Sequence, residues 1–230
     1  QWKGESRSIN IVTVPKSEIA NLHFTYPSGK ITTSDQCVSA GAIVGINAQY
    51  FDNSTGGTGL ARDFLKIDGV VATPGTDGRS STFAGGAFVI TDGVAEIKSV
   101  AGNEGARDLT DKNVMVCGPL LINNGEYAYL SQNTTHNTDP HPRTAVAITE
   151  NGSVLLVTID GRFPGQAVGM STPLMQEFFT LLGAKYALNL DGGGSTTMYI
   201  KGKGFVNHGS DGSNWNNPKE RKVNSIIYLK

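Results

Sequence analysis

Charged residues are scarce in this sequence: they fill 17% of its 230 positions, against about a quarter in an average protein. This scarcity disfavours long salt-bridged helices, coiled coils and charge-rich disordered segments. The 19 Lys and Arg are balanced by 20 Asp and Glu, which gives a net charge of −1. The chain therefore lacks the basic surplus that binds nucleic acid or an anionic membrane, and neither is an expected partner.

Long apolar runs and cysteines are scarce as well. No stretch approaches the roughly 18 consecutive apolar residues of a membrane-spanning helix, and no signal-peptide pattern opens the chain. Since the first residue is Gln1 rather than Met, removal of a targeting segment is consistent with the sequence. The two cysteines, Cys37 and Cys117, leave a disulfide and two free thiols equally open, and they exclude a cysteine-rich zinc site.

Glycine, by contrast, is abundant, with 29 residues, and much of it stands in turns. Asp-Gly or Asn-Gly between two β-branched runs is the strongest short-range signal for a β-hairpin. Hairpins are predicted for residues 64–67 turning at Asp68-Gly69, 87–90 turning at Asp92-Gly93, 114–122 turning at Asn124-Gly125, and 144–149 pairing with 154–159 around Asn151-Gly152. Further strands are expected at 9–14, 22–26, 42–47 and 223–229.

One amphipathic helix is predicted between Thr172 and Gly183, because Pro173 suits a first helical turn and Gly183 a helix end. Its apolar stripe consists of Leu174, Phe178, Leu181 and Leu182, widened by Met175 and Phe179. A shorter helix is expected at 34–40. Since no linker, charge block or repeat divides the chain, we expect one domain over residues 1–230. Its fold class should be α+β, a largely antiparallel or mixed sheet built from hairpins with a few packed helices.

The segment 189–197, which reads NLDGGGSTT, is the most unusual one in the chain. Three successive glycines cost conformational entropy and are explained most simply where the backbone must approach another group closely or adopt a positive φ. Backbone N–H groups at Gly192, Gly193 and Gly194, with the hydroxyls of Ser195 and Thr196, could form an anion-binding nest that suits phosphate. The alternative is a strained turn that needs glycine for geometry alone.

Three other segments combine residues that suit binding or catalysis. Asp160-Gly161-Arg162 ends a predicted strand with a carboxylate and a guanidinium, although an ordinary Asp-Gly turn explains it as well. In the segment 141–144, Arg143 opens an apolar strand and could clamp a phosphoryl group, or be a solvated strand-end charge. The segment 47–52 combines amides and aromatic rings that suit a sugar, or simply contains a satisfied Asn47 at a strand end.

Several common catalytic motifs are missing from the sequence. Ser195 lies in no Gly-x-Ser-x-Gly elbow, and no Walker-type Gly-Lys-Ser/Thr sequence is found. The four histidines form no His-Glu-x-x-His pattern. The sequence therefore disfavours a nucleophilic serine and a catalytic zinc site.

Taken in order, these segments resemble the phosphodiester glycosidase family, over about residues 42–228. The matching parts are 47–51, 118–121, 142–144, 160–162, 189–196, Arg221 and Asn224. The resemblance implies a hydrolase that cleaves the C1–O bond of a sugar-1-phosphodiester, such as one of N-acetylglucosamine, and needs no cofactor. It also implies an exported protein (periplasmic, cell envelope or secreted), which agrees with a removed leader.

The reaction that the resemblance implies assigns a role to each candidate residue. Cleavage at C1 builds oxocarbenium character on the sugar and negative charge on the phosphate, which leaves easily without strong proton donation. We expect Asp191 and Asp160 to be the catalytic carboxylates, with the order of their roles open. The expected substrate-binding residues are Arg143, Arg162 and Arg221, the nest Gly192, Gly193, Gly194 with Ser195 and Thr196, and Asn47 and Asn189, which would hold sugar hydroxyls or orient the acids. His208, in a glycine-rich loop that resembles a mobile rim, is an alternative acid or base.

Two other functions stay open at this stage. A metal-dependent phosphodiesterase or phosphatase would use Asp52, Asp160 and Asp191 as ligands of a divalent ion and would cut P–O. A non-catalytic carbohydrate-binding envelope protein would use the same aromatic and amide side chains without turnover. A structural calcium ion in the Asp-rich loops and the oligomeric state are likewise left open by the sequence.

Overall fold

Antiparallel strands make up most of the regular structure in the computed structural model, which describes residues 3–55 and 57–230. In chain order the strands are β1 (Ile9–Val14), β2 (Leu22–Thr25), β3 (Ile31–Thr32), β4 (Val44–Asn47), β5 (Leu65–Ile67), β6 (Val70–Thr73), β7 (Gly86–Thr91), β8 (Val94–Ser99), β9 (Asn113–Cys117), β10 (Leu120–Asn123), β11 (Glu126–Tyr127), β12 (Arg143–Thr149), β13 (Val154–Ile159), β14 (Ala184–Asn189), β15 (Met198–Ile200), β16 (Gly204–Phe205), β17 (Lys222–Val223) and β18 (Ile226–Leu229). The α-helices are α1 (Thr33–Ala40), α2 (Ser81–Ala84), α3 (Gly102–Arg107), α4 (Thr135–Thr138) and α5 (Thr172–Leu181). The segments Lys16–Asn21 and Gly193–Ser195 form 3-10 helices.

Three larger sheets organise these strands. Their strand orders are β1-β13-β12-β14-β10-β11, β16-β15-β4-β18-β2 and β6-β5-β9-β7-β8, and β17 pairs separately with β3. One core cluster receives side chains from all three, for example Val146 of the first sheet, Ile46 of the second and Phe88 of the third. The α+β class predicted from the sequence is confirmed, with the named strands pairing antiparallel.

Hairpin prediction succeeds where the turn residues decide the conformation. Asp68, Asp92 and Asn124 have φ angles of +49°, +50° and +52°, and the glycine that follows each also has a positive φ. These are the angles that a two-residue type I′ turn requires, and Asp, Asn and Gly tolerate them best. The predicted pairs β5–β6, β7–β8 and β12–β13 are all formed.

Two predicted strands are wrong as continuous elements. The run 114–122 divides between two sheets: β9 pairs with β7 and β5, whereas β10 pairs with β14 and forms the hairpin with β11. The chain changes sheet at Gly118-Pro119, where proline has no N–H to donate to a ladder. The run 223–229 likewise divides into β17 and β18, and the buried residues Asn224 and Ser225 lie between them.

The predicted helix α5 is present, with Ser171 accepting a hydrogen bond from the Leu174 N–H at its start and Gly183 at φ +70° beyond its end. Its buried face differs from the predicted stripe. Met175 and Phe179 are fully buried against the six-stranded sheet, whereas Leu181 is 73% exposed. Met175 and Phe179, which were predicted only to widen the stripe, are its most buried residues, and Leu174, Phe178 and Leu182 pack beside them partly buried.

Three further sequence questions are answered by the fold. The shorter helix is α1, and its N-cap residue Thr32 accepts a hydrogen bond from the Asp35 N–H. Cys37 and Cys117 are both buried free thiols, so the disulfide alternative is not realised. Within residues 3–55 and 57–230, no helix is long and apolar enough to cross a membrane.

Strand pairing brings several predicted site segments to one edge. Because β12 runs antiparallel to both of its neighbours, its first residue, Arg143, lies opposite Ile159 at the end of β13, and Ala145 lies opposite Asn189 at the end of β14. The backbone N–H of Asp191 then donates to the carbonyl of Ala48, just beyond the end of β4. Four strand ends from two sheets therefore meet at this edge.

Candidate active site

A cavity of about 430 Å³ opens at the edge where these strand ends meet. Seven of the predicted site residues line it: Asp191, Arg143, Arg162, Arg221, Gly192, Gly193 and Gly194. Its other lining residues are Tyr50, Thr135, His136, His141 and Pro142. Depressions of similar volume lie elsewhere on the surface, but the described residues in their walls include none of the predicted site residues.

Asp191 is the one carboxylate in the described lining of this cavity. Its backbone is fixed on both sides, since its N–H donates to the Ala48 carbonyl (2.9 Å) and its carbonyl accepts from Asn47 Nδ2 (2.6 Å). Burial raises the pKa of the Asp191 carboxyl to about 7, against smaller lowering effects of the Ser195 hydroxyl, the Arg221 charge and the Gly192 N–H. A carboxyl group with a pKa near neutral pH is typical of a catalytic acid, base or nucleophile.

The three glycines after Asp191 have little room for a side chain or have a positive φ. A side chain on Gly192 would meet the Pro142 carbonyl oxygen at 2.5 Å, and one on Gly194 would overlap the paired side chains of Arg221 and Asp211. Gly193 has a φ of +61°, and its N–H donates to the Pro142 carbonyl (2.9 Å). The glycine turn therefore lets the segments that contain Pro142, Arg162 and Arg221 approach it closely. The Gly193 N–H is already hydrogen-bonded within the protein.

Arg143 is a buried cation at the cavity wall, with 2% of its surface exposed. Its Nε donates to the Met170 carbonyl (2.8 Å), and its Nη2 donates to the carbonyls of His136 (2.6 Å) and Asp139 (3.2 Å). Among the described residues it has no carboxylate partner, and its Nη1 makes no hydrogen bond. Burial lowers the pKa of Arg143 to about 10, so it keeps its charge at neutral pH. A buried, unpaired guanidinium is expected to attract an anion.

Arg162 and Arg221 add positive charge next to the glycine turn. The exposed Arg162 has a φ of +67°, and its guanidinium stands over Gly193 without a carboxylate partner in the part of the chain that is described. Arg221 forms a two-pronged ion pair with Asp211 (2.7 and 2.6 Å), which raises its pKa. Two unpaired guanidinium groups and one paired group thus line the same cavity as Asp191.

Neutral polar and aromatic groups form the remaining wall. Tyr50 Oη lies 3.0 Å from His136 Nε2, and the rings of Tyr50, Phe83 and His136 contact one another edge to face. Burial lowers the pKa of His136 to about 4, and burial also lowers the pKa of His141, whose Nε2 lies 3.2 Å from the Thr135 carbonyl oxygen. Burial raises the pKa of Tyr50 well above its ordinary value, so its phenol stays protonated.

The two predicted asparagines lie behind the cavity wall rather than in it. Asn47 is fully buried: its Oδ1 accepts from Thr144 Oγ1 (2.7 Å) and from the Thr197 N–H (3.0 Å), and its Nδ2 holds the Asp191 carbonyl. The Nδ2 of Asn189, also buried, donates to the Gly118 carbonyl (2.9 Å) and to Tyr50 Oη (3.0 Å). Of the two predicted roles, the placement of Asn47 suits the orientation of Asp191. Asn189 contacts Gly118 and Tyr50 instead.

Ser195 and Thr196 are buried beneath the glycine turn, outside the cavity lining. Within the described residues, neither hydroxyl oxygen makes a hydrogen bond of ordinary geometry. The Ser195 hydroxyl still lies close enough to the Asp191 carboxylate to lower its pKa. The Ser195 hydroxyl is therefore positioned to influence the Asp191 carboxylate.

The buried Asp160 and the half-buried His208 form a separate group. Asp160 has no exposed surface, and its carboxylate accepts from Ser8 Oγ (2.6 Å), Asn207 Nδ2 (3.0 Å) and the His208 N–H (2.8 Å). His208 Nδ1 lies 3.3 Å from the same carboxylate, and its ring stacks on Trp215 at 3.5 Å. The structure does not bring this pair into the cavity lining; Asp160 instead fastens the base of the 207–215 loop.

The three aspartates of the metal-dependent alternative do not come together. The Asp52 carboxylate accepts from Ser54 Oγ (2.6 Å) and the Thr58 N–H (3.0 Å) in its own loop, while Asp160 and Asp191 have the separate surroundings given above. Within residues 3–55 and 57–230, no group of three or more His, Cys, Asp or Glu side chains could hold a metal ion. The described acidic side chains therefore form no cluster of ligands for a catalytic metal ion or for a structural calcium ion.

Five lining residues were not among the predicted site residues, and three of them, Tyr50, His136 and His141, carry groups that suit binding or catalysis. His141 and Tyr50 both lie in segments that were singled out, but beside the residues that were chosen from them. His136 had no motif to mark it, because the short helix α4 is brought to the cavity by hydrogen bonds from Arg143, which follows it in the sequence.

Fold and site together define an antiparallel α+β protein with an arginine-rich cavity around one carboxylate. A model of the phosphodiester glycosidase family matches residues 40–230, and the chain belongs to this family. The uncharacterised SPbeta prophage-derived protein YomE of Bacillus subtilis (strain 168) is 36% identical over 72 residues, which are 31% of this chain and 11% of that protein. The chain thus matches about a tenth of that relative's length.

Solved structures share the whole fold at low sequence identity. The catalytic domain of zebrafish N-acetylglucosamine-1-phosphodiester α-N-acetylglucosaminidase, auto-inhibited by its pro-peptide, matches with a TM-score of 0.74 and 18% identity, over 100% of this chain and 85% of that one. A hypothetical protein from Synechocystis matches with a TM-score of 0.71 and 15% identity, over 100% and 61%. A Burkholderia pseudomallei K96243 protein, described by inference as exported, matches with a TM-score of 0.64 and 16% identity, over 96% and 73%.

Proposed function

We propose that this protein hydrolyses the C1–O bond of a sugar-1-phosphodiester, of the N-acetylglucosamine-1-phosphodiester kind, and releases a free sugar and a phosphomonoester. The observation that carries the proposal is the placement of Asp191 among Arg143, Arg162 and Arg221 in one cavity. Membership in the phosphodiester glycosidase family supports the reaction class. Likeness to a structure described as exported supports a location outside the cytoplasm, which we propose with it.

The charges of the cavity suit the two ends of the bond that breaks. Arg143 Nη1 and the Arg162 guanidinium are free to hold phosphate oxygens, and their attraction grows as negative charge develops on the leaving group. Asp191 supplies the negative charge that an oxocarbenium-like C1 requires. Because a phosphomonoester leaves readily, the cavity needs no strong acid beside the leaving oxygen. The aromatic wall at Tyr50 and His136 offers ring edges to the sugar.

The buried polar residues take supporting roles in this proposal. Asn47 fixes the Asp191 backbone through a 2.6 Å hydrogen bond. Asp160, which the sequence suggested as the second catalytic carboxylate, acts instead by fastening Asn207 and His208. Asp191 is therefore proposed as the single catalytic carboxylate of the site.

The test is hydrolysis of the methyl phosphodiester of α-N-acetylglucosamine 1-phosphate in the presence of a chelator, with both products identified by mass spectrometry. Wild-type protein is expected to release N-acetylglucosamine and methyl phosphate. Asp191→Asn should lose this activity, whereas Asp108→Asn, a matched exposed aspartate at the end of α3, should retain it. Methanol and sugar 1-phosphate as products would identify a phosphohydrolase, and tight binding without turnover would identify a carbohydrate-binding protein.

A further inference from the structure

Hydrogen-bond geometry distinguishes the two histidines that line the cavity. A neutral imidazole has one N–H donor and one bare nitrogen that accepts. Burial lowers the pKa of both His136 and His141, so each is neutral at pH 7. The partners of each ring then decide which nitrogen carries the hydrogen and which one is left to react.

Both nitrogens of His136 are engaged within the protein. Asn137 is oriented by its own Nδ2, which donates to the Ser131 carbonyl (2.9 Å), so its Oδ1 faces His136 Nδ1 at 3.1 Å as an acceptor. His136 Nδ1 therefore carries the hydrogen, and its bare Nε2 faces Tyr50 Oη at 3.0 Å. The one phenol hydrogen of Tyr50 lies within reach of both this nitrogen and the Gly118 carbonyl (2.9 Å). This ring has no nitrogen left for a water molecule or a substrate.

His141 has the opposite arrangement and one nitrogen to spare. Its Nε2 lies 3.2 Å from the Thr135 carbonyl, which can only accept, so Nε2 carries the hydrogen and Nδ1 is bare. Among the described residues, Nδ1 has no hydrogen-bond partner. The backbone is fixed by reciprocal hydrogen bonds with Met170 (3.2 and 3.0 Å). The charges that act on the ring are those of Arg143, Arg162 and Asp139, and the two cations oppose a positive charge on it.

We propose that His141 is the general base of a double displacement in which Asp191 is the nucleophile, an inference that rests on the proposed function. Once Asp191 has formed a bond to C1, it can no longer accept a proton, and the second step needs another base. A neutral histidine with a bare nitrogen in the same cavity meets that need. A neutral histidine would be a poor general acid in the first step, but the phosphate leaving group needs no acid there.

The two steps balance without any further reactant. In the first, an Asp191 carboxylate oxygen bonds to C1, and the C1–O bond breaks with its electron pair leaving on the phosphomonoester. In the second, His141 Nδ1 takes a proton from water, the water oxygen bonds to C1, and the electron pair of the C1–Asp191 bond returns to the carboxylate. His141 then gives its proton to the solvent. The free sugar keeps the α configuration of the substrate.

The experiment compares the wild type with His141→Gln and His141→Asn, using the methyl phosphodiester of α-N-acetylglucosamine 1-phosphate in a quench-flow instrument. Glutamine keeps a donor near the Thr135 carbonyl, and asparagine places an amide near the Nδ1 position. Comparison of the two variants therefore distinguishes loss of the general base from loss of the packing and hydrogen bonds of the ring. His23→Gln is the matched control, because His23 lies on β2 and contacts Tyr228 rather than the cavity. Thermal unfolding checks that each variant is folded.

Both His141 variants are expected to release a burst of methyl phosphate equal to the enzyme concentration, followed by turnover slowed by about 10²- to 10⁴-fold. Azide, a nucleophile that needs no base, should speed the second step and yield α-glycosyl azide, while His23→Gln behaves as the wild type. An inverted sugar product from the wild type, or His141 variants with wild-type rates or no burst, would overturn the assignment of His141 alone. Failure of the wild type to hydrolyse the C1–O bond would instead overturn the proposed function, and this inference with it.

Discussion

Replacing Asp191 by Asn should stabilise the protein, in a way that depends on pH. Burial raises the pKa of this carboxyl from 3.8 to about 7, so between these values the native state holds a proton that the unfolded chain has lost. Stability of the wild type therefore falls as pH rises from about 4 to 7. The full shift corresponds to a ceiling of about 4 kcal/mol. Since water in the cavity screens a partly exposed carboxyl, we expect a gain of about 2 kcal/mol for Asp191→Asn at pH 8.

The measurement is urea unfolding of both proteins at pH 4, 6 and 8, with the free energy of unfolding taken from transitions of equal slope. The advantage of Asp191→Asn should be near zero at pH 4 and grow up to pH 8. The control Asp108→Asn, at an exposed position, should show no such trend. Equal or lower stability of Asp191→Asn at pH 8 would refute the argument that burial holds this carboxyl protonated.

Three further predictions concern the surroundings of Asp191. Gly194→Ala should lower activity without lowering the unfolding temperature, because the added carbon displaces only the flexible ends of Arg221 and Asp211; a large loss of stability would contradict this. Arg162→Met should raise KM for the phosphodiester and leave stability unchanged in a thermal melt, since this exposed side chain has no ion-pair partner among the described residues. An unchanged KM would argue against phosphate binding there. Asp160→Asn should lower the free energy of unfolding, measured in urea, by about 2 to 4 kcal/mol, because three donors face the Asp160 carboxylate. The folded variant should retain turnover. Loss of turnover with unchanged stability would instead show that Asp160 is a second catalytic carboxylate.

Local conformational rules explain what the sequence could predict of the fold. Asp68-Gly69 and Asp92-Gly93 determine their own turns, because few other residues tolerate two successive positive φ angles. Gly183 likewise marks the end of α5 by its own φ. These features need no knowledge of the rest of the chain, and they were predicted correctly.

Contacts between distant segments explain what could not be predicted. The run 114–122 has the apolar pattern of one strand, and only the competing pairing partners β7 and β14 divide it between two sheets. Asp160 has the same Asp-Gly signature as a surface turn, yet Ser8, 152 residues earlier in the chain, helps to bury its carboxylate. Sequence spacing carries no information on such partners.

The candidate site shows the same division. The glycine turn and Arg143 were found because their local composition is unusual, and both lie in the cavity. His136 and Tyr50 reach the cavity through hydrogen bonds that link α4, the end of β4 and the start of β12. Their roles depend on which nitrogen or oxygen each partner leaves free, which only the folded structure determines.

The most direct test of the central assignment is the site of bond cleavage. The wild-type protein would hydrolyse the methyl phosphodiester of α-N-acetylglucosamine 1-phosphate in ¹⁸O-labelled water, and mass spectrometry would locate the label in each product. Attack at C1 predicts one ¹⁸O atom in the free sugar and none in methyl phosphate. Label in the phosphate product, with an unlabelled sugar, would show P–O cleavage and contradict a glycosidase centred on Asp191.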